Sequence, residues 1–183
     1  HAMAWLGKFH KEPEARFVLS RLLDRKDLGS YSSVAISQAV TWLELFAMTE
    51  EAAFVFQNLM PRPELNEHTP RVMSLGISWL ESNSLNSYAK VVFNRMLWLP
   101  RLSDNDWRVV SKLALSWLRE NTSKYNRDLS LASLLERHKL LTENETAWVK
   151  EQAFDWFRSP PKGHREPIKL LAAMQRLGWR DDI

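Results

Sequence analysis

This sequence predicts an all-α fold: a right-handed solenoid of about four antiparallel helix hairpins, with a partial unit in front and a capping helix behind. Three observations carry that expectation. A Trp-Leu or Trp-Phe pair recurs at Trp5, Trp42, Trp79, Trp117 and Trp156, at spacings of 37, 37, 38 and 39 residues. Between these marks, apolar residues follow the helical period in two separate stretches per repeat. Glycine, with 5 residues among 183, is too scarce for a β fold built on tight turns.

The first helix of each repeat is written by Ala15, Val18, Leu19, Leu22 and Leu23, then by Ala52, Val55, Phe56, Leu59 and Met60, then by Ala89, Val92, Phe93, Met96 and Leu97. The offsets i, i+3, i+4, i+7 and i+8 define one helical face. In the fourth repeat Leu131, Leu134 and Leu135 keep the end of that pattern. The second helix ends on the tryptophan. Three residues before it stands a small residue, Ala39, Gly76, Ala114 or Ala153, and seven before it Ala35, Val72, Val110 or Val149. A small side chain there leaves room for a close neighbour, which would offset the ~1 kcal/mol that glycine costs inside a helix.

The loop between the two helices carries a leucine, Leu28, Leu65, Leu102 or Leu140, expected to be buried and to close the hairpin. Helix starts follow at Ser32 or Ser33, at Thr69 with Pro70, at Asp104 or Asp106, and at Thr142 with Glu145 as a capping box. The expected units lie near 14–46, 51–81, 88–120 and 127–157, with a final helix near 166–177, all in one domain over 4–183. Residues 1–3, His-Ala-Met, read as a tag remnant. Ala4-Trp5-Leu6 matches the end of a repeat, so the natural polypeptide is expected to extend further towards its N-terminus.

Composition narrows the function classes. Hydrophobic residues at 45% and charged residues at 26% are ordinary globular usage, and a net charge of +3 falls short of a concentrated nucleic-acid-binding stripe. With no cysteine there is no disulfide framework and no thiolate metal site, which fits a cytoplasmic protein. Apolar runs are short and broken by charge, so no membrane span is expected. The histidines are scattered, and no phosphate loop, nucleophile elbow or zinc-protease motif occurs. The sequence therefore points to no catalytic, cofactor or metal site. Its expected role is protein binding or scaffolding.

The repeat also shows where one unit breaks the pattern of the others. Trp98 stands where the earlier repeats have Asp24 and Pro61, and Trp107 where they have Ser32 and Thr69. Exposed tryptophan and arginine are enriched at binding hot spots, so Trp98, Trp107 and Arg101 form a candidate contact cluster. The plainer role of the two indoles is to cover the loop or pack on each other. A second candidate is the basic series Arg25, Lys26, Arg62, Arg101, Arg137 and Lys139 in the inter-helix loops, which could meet phosphates or an acidic protein. Asp24, Asp27, Glu64 and Glu136 in the same loops make that edge mixed in sign.

The tandem helix pairs resemble the tetratricopeptide and HEAT-like α-solenoids. The unit Ala-x-x-Val-Phe-x-x-Leu followed by Ala-x-x-Trp-Leu-Glu is similar to the C-terminal repeat arrays of bacterial STAND-type NTPases. The likeness spans roughly Trp5 to Leu177. A period of 37 to 39 exceeds the 34 of tetratricopeptide repeats, and their Trp-x-x-Leu-Gly pattern is absent. The resemblance implies a sensor or recognition array at the end of a larger bacterial protein of antiviral defence, with a protein partner; a HEAT-like nucleic-acid binder is the alternative.

Overall fold

The computed structural model describes residues 1–84, 86–100, 102–121, 127–160 and 167–179. Among these the chain is helical throughout, with no strand. The helices are α1 (Ala2–Phe9), α2 (Ala15–Leu23), α3 (Ser32–Phe46), α4 (Ala52–Leu59), α5 (Thr69–Asn83), α6 (Ala89–Leu97), α7 (Asp104–Glu120), α8 (Arg127–Glu136), α9 (Glu143–Arg158) and α10 (Ile168–Arg176). Ala2 and Met3 of the expected tag remnant are part of α1. The expected starting point of the last helix, Glu166, lies outside the described residues.

Packing groups the chain into two compact units, His1–Leu99 and Pro100–Ile183, where the sequence reading draws one domain. In the first unit α2 packs on α1, α3 and α4, and α4 on α3 and α6; α5 packs on α3 and α6. In the second, α8 is central and packs on α7, α9 and α10.

The small residues and tryptophans lie where these helices meet. Trp42, Trp79, Trp117 and Trp156 are buried. In the first unit their ring nitrogens have a second role: Trp42 Nε1 donates to the Glu12 carbonyl at 3.0 Å and Trp79 Nε1 to the Thr49 carbonyl at 2.7 Å. Each acceptor lies thirty residues back, in the turn that leads into the first helix of the same repeat. The indole thus pins the two ends of a repeat together as well as filling its core. Trp5 departs from the series. It is 36% exposed and its ring lies 5.2 Å from that of Phe9, while its neighbour Leu6 is fully buried.

Gly76 explains the small residue before the tryptophan. A Cβ there would lie 2.8 Å from Met60 Cε and 3.2 Å from Met96 Sδ, so the ends of two methionines occupy the space. These methionines come from the end of α4, the first helix of α5's own repeat, and from α6, the first helix of the next. Flexible methionine tips fit such irregular gaps well.

The loops repeat their geometry too. Leu28, Leu65 and Leu102 are buried as expected, but in the fourth repeat the buried residue is Leu141 and Leu140 is half-exposed. One extra residue there shifts the register, since a 3-10 turn at His138–Leu140 precedes the extended Leu141. Gly29 (φ 52) and Asn66 (φ 41), 37 residues apart, both take left-handed backbone, which glycine and asparagine tolerate best. Thr142 and Glu145 form the expected capping box on α9, and on α7 the cap is Ser103, which accepts from the Asp106 N–H at 3.1 Å. Neither α3 nor α5 has a side-chain cap, because a 3-10 turn runs straight into each and its carbonyls take the first N–H groups.

Candidate interaction surface

The residues singled out by the sequence go to different environments. Trp107, at the start of α7 in the second unit, is 0% exposed, so it is a core residue and offers no contact area. Its indole N–H has no hydrogen-bond partner among the described residues. Trp98 caps the end of α6 in the first unit and is 36% exposed. Arg101 lies outside the described residues. The proposed indole pair is therefore dissolved by the burial of Trp107: amphipathic α7 turns its N-terminal turn inward, with Val110, Ser111 and Ala114 buried on the same side.

The loop arginines are also committed. Arg62 is only 9% exposed. It donates to the Arg25 carbonyl of the preceding repeat at 2.7 Å and to Glu64 Oε1 at 2.9 Å, and Ser32 donates to that same carboxylate oxygen at 3.0 Å. Glu64's own backbone N–H, with Ser32 and Arg62 beside it, holds the carboxylate below its usual range against a smaller opposing effect of burial. Arg137 repeats the device in the second unit, donating to the Leu102 carbonyl at 2.9 Å and to Asp104 Oδ1 at 2.6 Å. Both guanidiniums therefore act as staples between successive loops. A phosphate-binding edge would need these heads free. At the equivalent position of the third repeat stands Leu99, which has no such head.

Two exposed aromatic residues share a surface elsewhere, on the first helices α2 and α4. Phe17 on α2 is 62% exposed and Phe54 on α4 is 40% exposed; they are 37 residues apart and occupy one repeat position. Both line an open groove of about 450 Å³ whose other walls include Arg16, Arg21, Gln57 and Asn58. Phe54 continues the row to Tyr88, their rings 4.9 Å apart, and the next repeat-equivalent residue on α6 is the half-buried Val91. Within this surface Arg16 lies over the Phe17 ring at 4.4 Å and 3.9 Å from Glu51. Asn58 Nδ2 donates to the carbonyls of Ser20, at 3.2 Å, and Phe54, fixing α4 against α2.

Sequence reasoning missed Phe17 and Phe54 because it collected the residues that fit the buried stripe and tested only the loops for exceptions. The signal was present: a phenylalanine at the same off-stripe position in two successive repeats serves no core there. Among the described residues no group of three or more acidic, histidine or cysteine side chains could hold a metal ion, and no helix is long and apolar enough to cross a membrane. No protein-family model, curated protein or solved structure matches the chain.

Proposed function

We propose that the chain is a non-catalytic protein-interaction module, a right-handed solenoid whose contact face is the outer side of α2, α4 and α6. The observation that carries this reading is the row of Phe17 and Phe54, exposed on α2 and α4 where they line a groove, continued by Tyr88 at the N-cap of α6. Large apolar side chains left in water over several helices are a feature of binding faces, and aromatic residues supply the most contact energy there. The resemblance to repeat arrays of STAND-type NTPases gives the module its setting: a cytoplasmic recognition element of a larger bacterial defence protein. Reading it as a nucleic-acid binder through the loop arginines is weaker, because Arg62 and Arg137 are spent on the protein's own carbonyls and carboxylates.

Capture experiments with the immobilised chain test the proposal. The Phe17→Ser/Phe54→Ser variant is expected to stay folded by circular dichroism, since neither ring belongs to the buried core, and to lose protein partners from a lysate of the encoding organism. Undiminished capture by this variant, or capture of nucleic acid alone, would overturn it.

A further inference from the structure

We infer that the end of the first unit made by α1, α2 and the loop after α2 is a docking face for one further helix of the α2 type, supplied by the same polypeptide ahead of α1. The way α2 itself is held shows what such a face does. Trp42 on α3 donates its ring N–H to the Glu12 carbonyl at 3.0 Å, in the turn before α2, and Arg62 donates to the Arg25 carbonyl at 2.7 Å, in the loop after it. These two donors grip carbonyls on either side of one nine-residue helix. α4 is held in the same way at its front, where Trp79 reaches the Thr49 carbonyl at 2.7 Å.

Both donors have counterparts 37 residues earlier, Trp5 on α1 and Arg25. Arg25 is exposed, and neither the Trp5 ring N–H nor the Arg25 guanidinium makes a hydrogen bond or ion pair among the described residues. The apolar positions beside them have the geometry of the later repeats without the cover. Trp5 and Phe9 have rings 5.2 Å apart at 39°, close to the arrangement of Trp42 and Phe46 at 5.1 Å and 36°, yet Trp5 is 36% exposed where Trp42 is 1% exposed. Val18 on α2 is half-buried, whereas its counterparts Val55 on α4 and Val92 on α6 are fully buried. Phe17 does not belong to this face, since its counterpart Phe54 stays exposed beside the buried Val55.

The occupant follows from what covers the counterparts. α3 packs on α2, and the Trp79 ring lies 6.4 Å from that of Phe56 on α4. In both cases the acceptor carbonyl stands thirty residues upstream in the same chain, which is why the cover for Trp5 is assigned to the same polypeptide. The open face fits a helix with alanine, valine and bulky apolar residues at offsets i, i+3, i+4, i+7 and i+8. Its preceding turn offers a carbonyl to Trp5 and its following loop offers one to Arg25. A helix this short draws its stability from the face it covers.

The test replaces residues 1–4 with a second copy of residues 10–41, so that a copy of α2 with both its turns leads through a continuous helix into Trp5. The Trp5 ring N–H is identified in the 1H–15N spectrum by its loss in Trp5→Phe. In the extended chain its exchange with solvent is expected to slow by roughly tenfold or more, and the melting temperature to rise. Arg25→Met at the original position should remove part of that rise and leave the melting temperature of the unextended chain unchanged. An extension whose copies of Leu19 and Leu22 are changed to aspartate controls for added length and should give neither effect. Equal exchange of the Trp5 N–H in original and extended chains overturns the inference. The same spectrum of the natural polypeptide, begun one repeat further upstream, tests the source. A protected Trp5 is expected there. An exposed Trp5, or a dimer of the unextended chain that Trp5→Asp dissolves, overturns the assignment to the same polypeptide.

Discussion

Trp79 and Trp107 are both fully buried indoles, yet only one has a bond for its ring nitrogen. Trp79 donates to the Thr49 carbonyl, and its ring sits 6.4 Å from that of Phe56. Trp107 buries an N–H with no partner among the described residues, which forfeits part of what its large apolar surface contributes. Replacing either by phenylalanine removes a similar volume, so the difference between the two variants isolates the hydrogen bond. Trp79→Phe is expected to cost about 1–2 kcal/mol more than Trp107→Phe in urea unfolding. Equal losses would show that the Thr49 bond adds nothing. The burial of Trp107 is also the residue-scale lesson on reading exceptions. A tryptophan that departs from a repeat's pattern departs either towards solvent or towards a core peculiar to that unit. Its sequence position does not tell which.

At the scale of the element, the loops hold together through arginine rather than through their leucines alone. Arg62 ties the Arg25 carbonyl of one loop to Glu64 and Ser32 at the next helix starts, using the two ends of one planar guanidinium. A lysine has a single point of charge and cannot span these acceptors, so Arg62→Lys should lower the melting temperature almost as far as Arg62→Met. The staple is also sensitive to pH. Because Glu64's carboxylate lies below its ordinary value of 4.5 in the folded state, its contribution is present above that value and is lost as pH falls through the depressed one. The destabilisation caused by Glu64→Gln should therefore be measurable at about pH 7 and vanish by about pH 2, a comparison made by urea unfolding at each pH. Leu99 in the equivalent place of the third repeat removes this staple from that loop, and Pro100 follows it.

On the scale of the whole molecule, the division falls at Leu99–Pro100, between α6 and α7 and so inside the third repeat. The first unit has its own core of Trp42, Trp79, Phe56 and Phe93, with stapled loops and the proposed binding face. A fragment of residues 1–99 is therefore expected to unfold cooperatively on heating with a helical spectrum. A sloping, non-cooperative melt would show that it does not fold alone.

The sequence by itself determined the helices, the period and most of the core. Hydrophobic period, loop leucines and small residues before the tryptophan are local and recur, so Ala39, Gly76, Ala114 and Ala153 were legible four times over. Exposure was decided only by the tertiary structure. Whether Phe17 faces water, whether Trp107 is covered and whether Arg62 is free depend on groups brought together by packing, such as Ser32 on Arg62 or Met96 on Gly76. Period places a residue on its own helix; packing between helices decides what that residue meets.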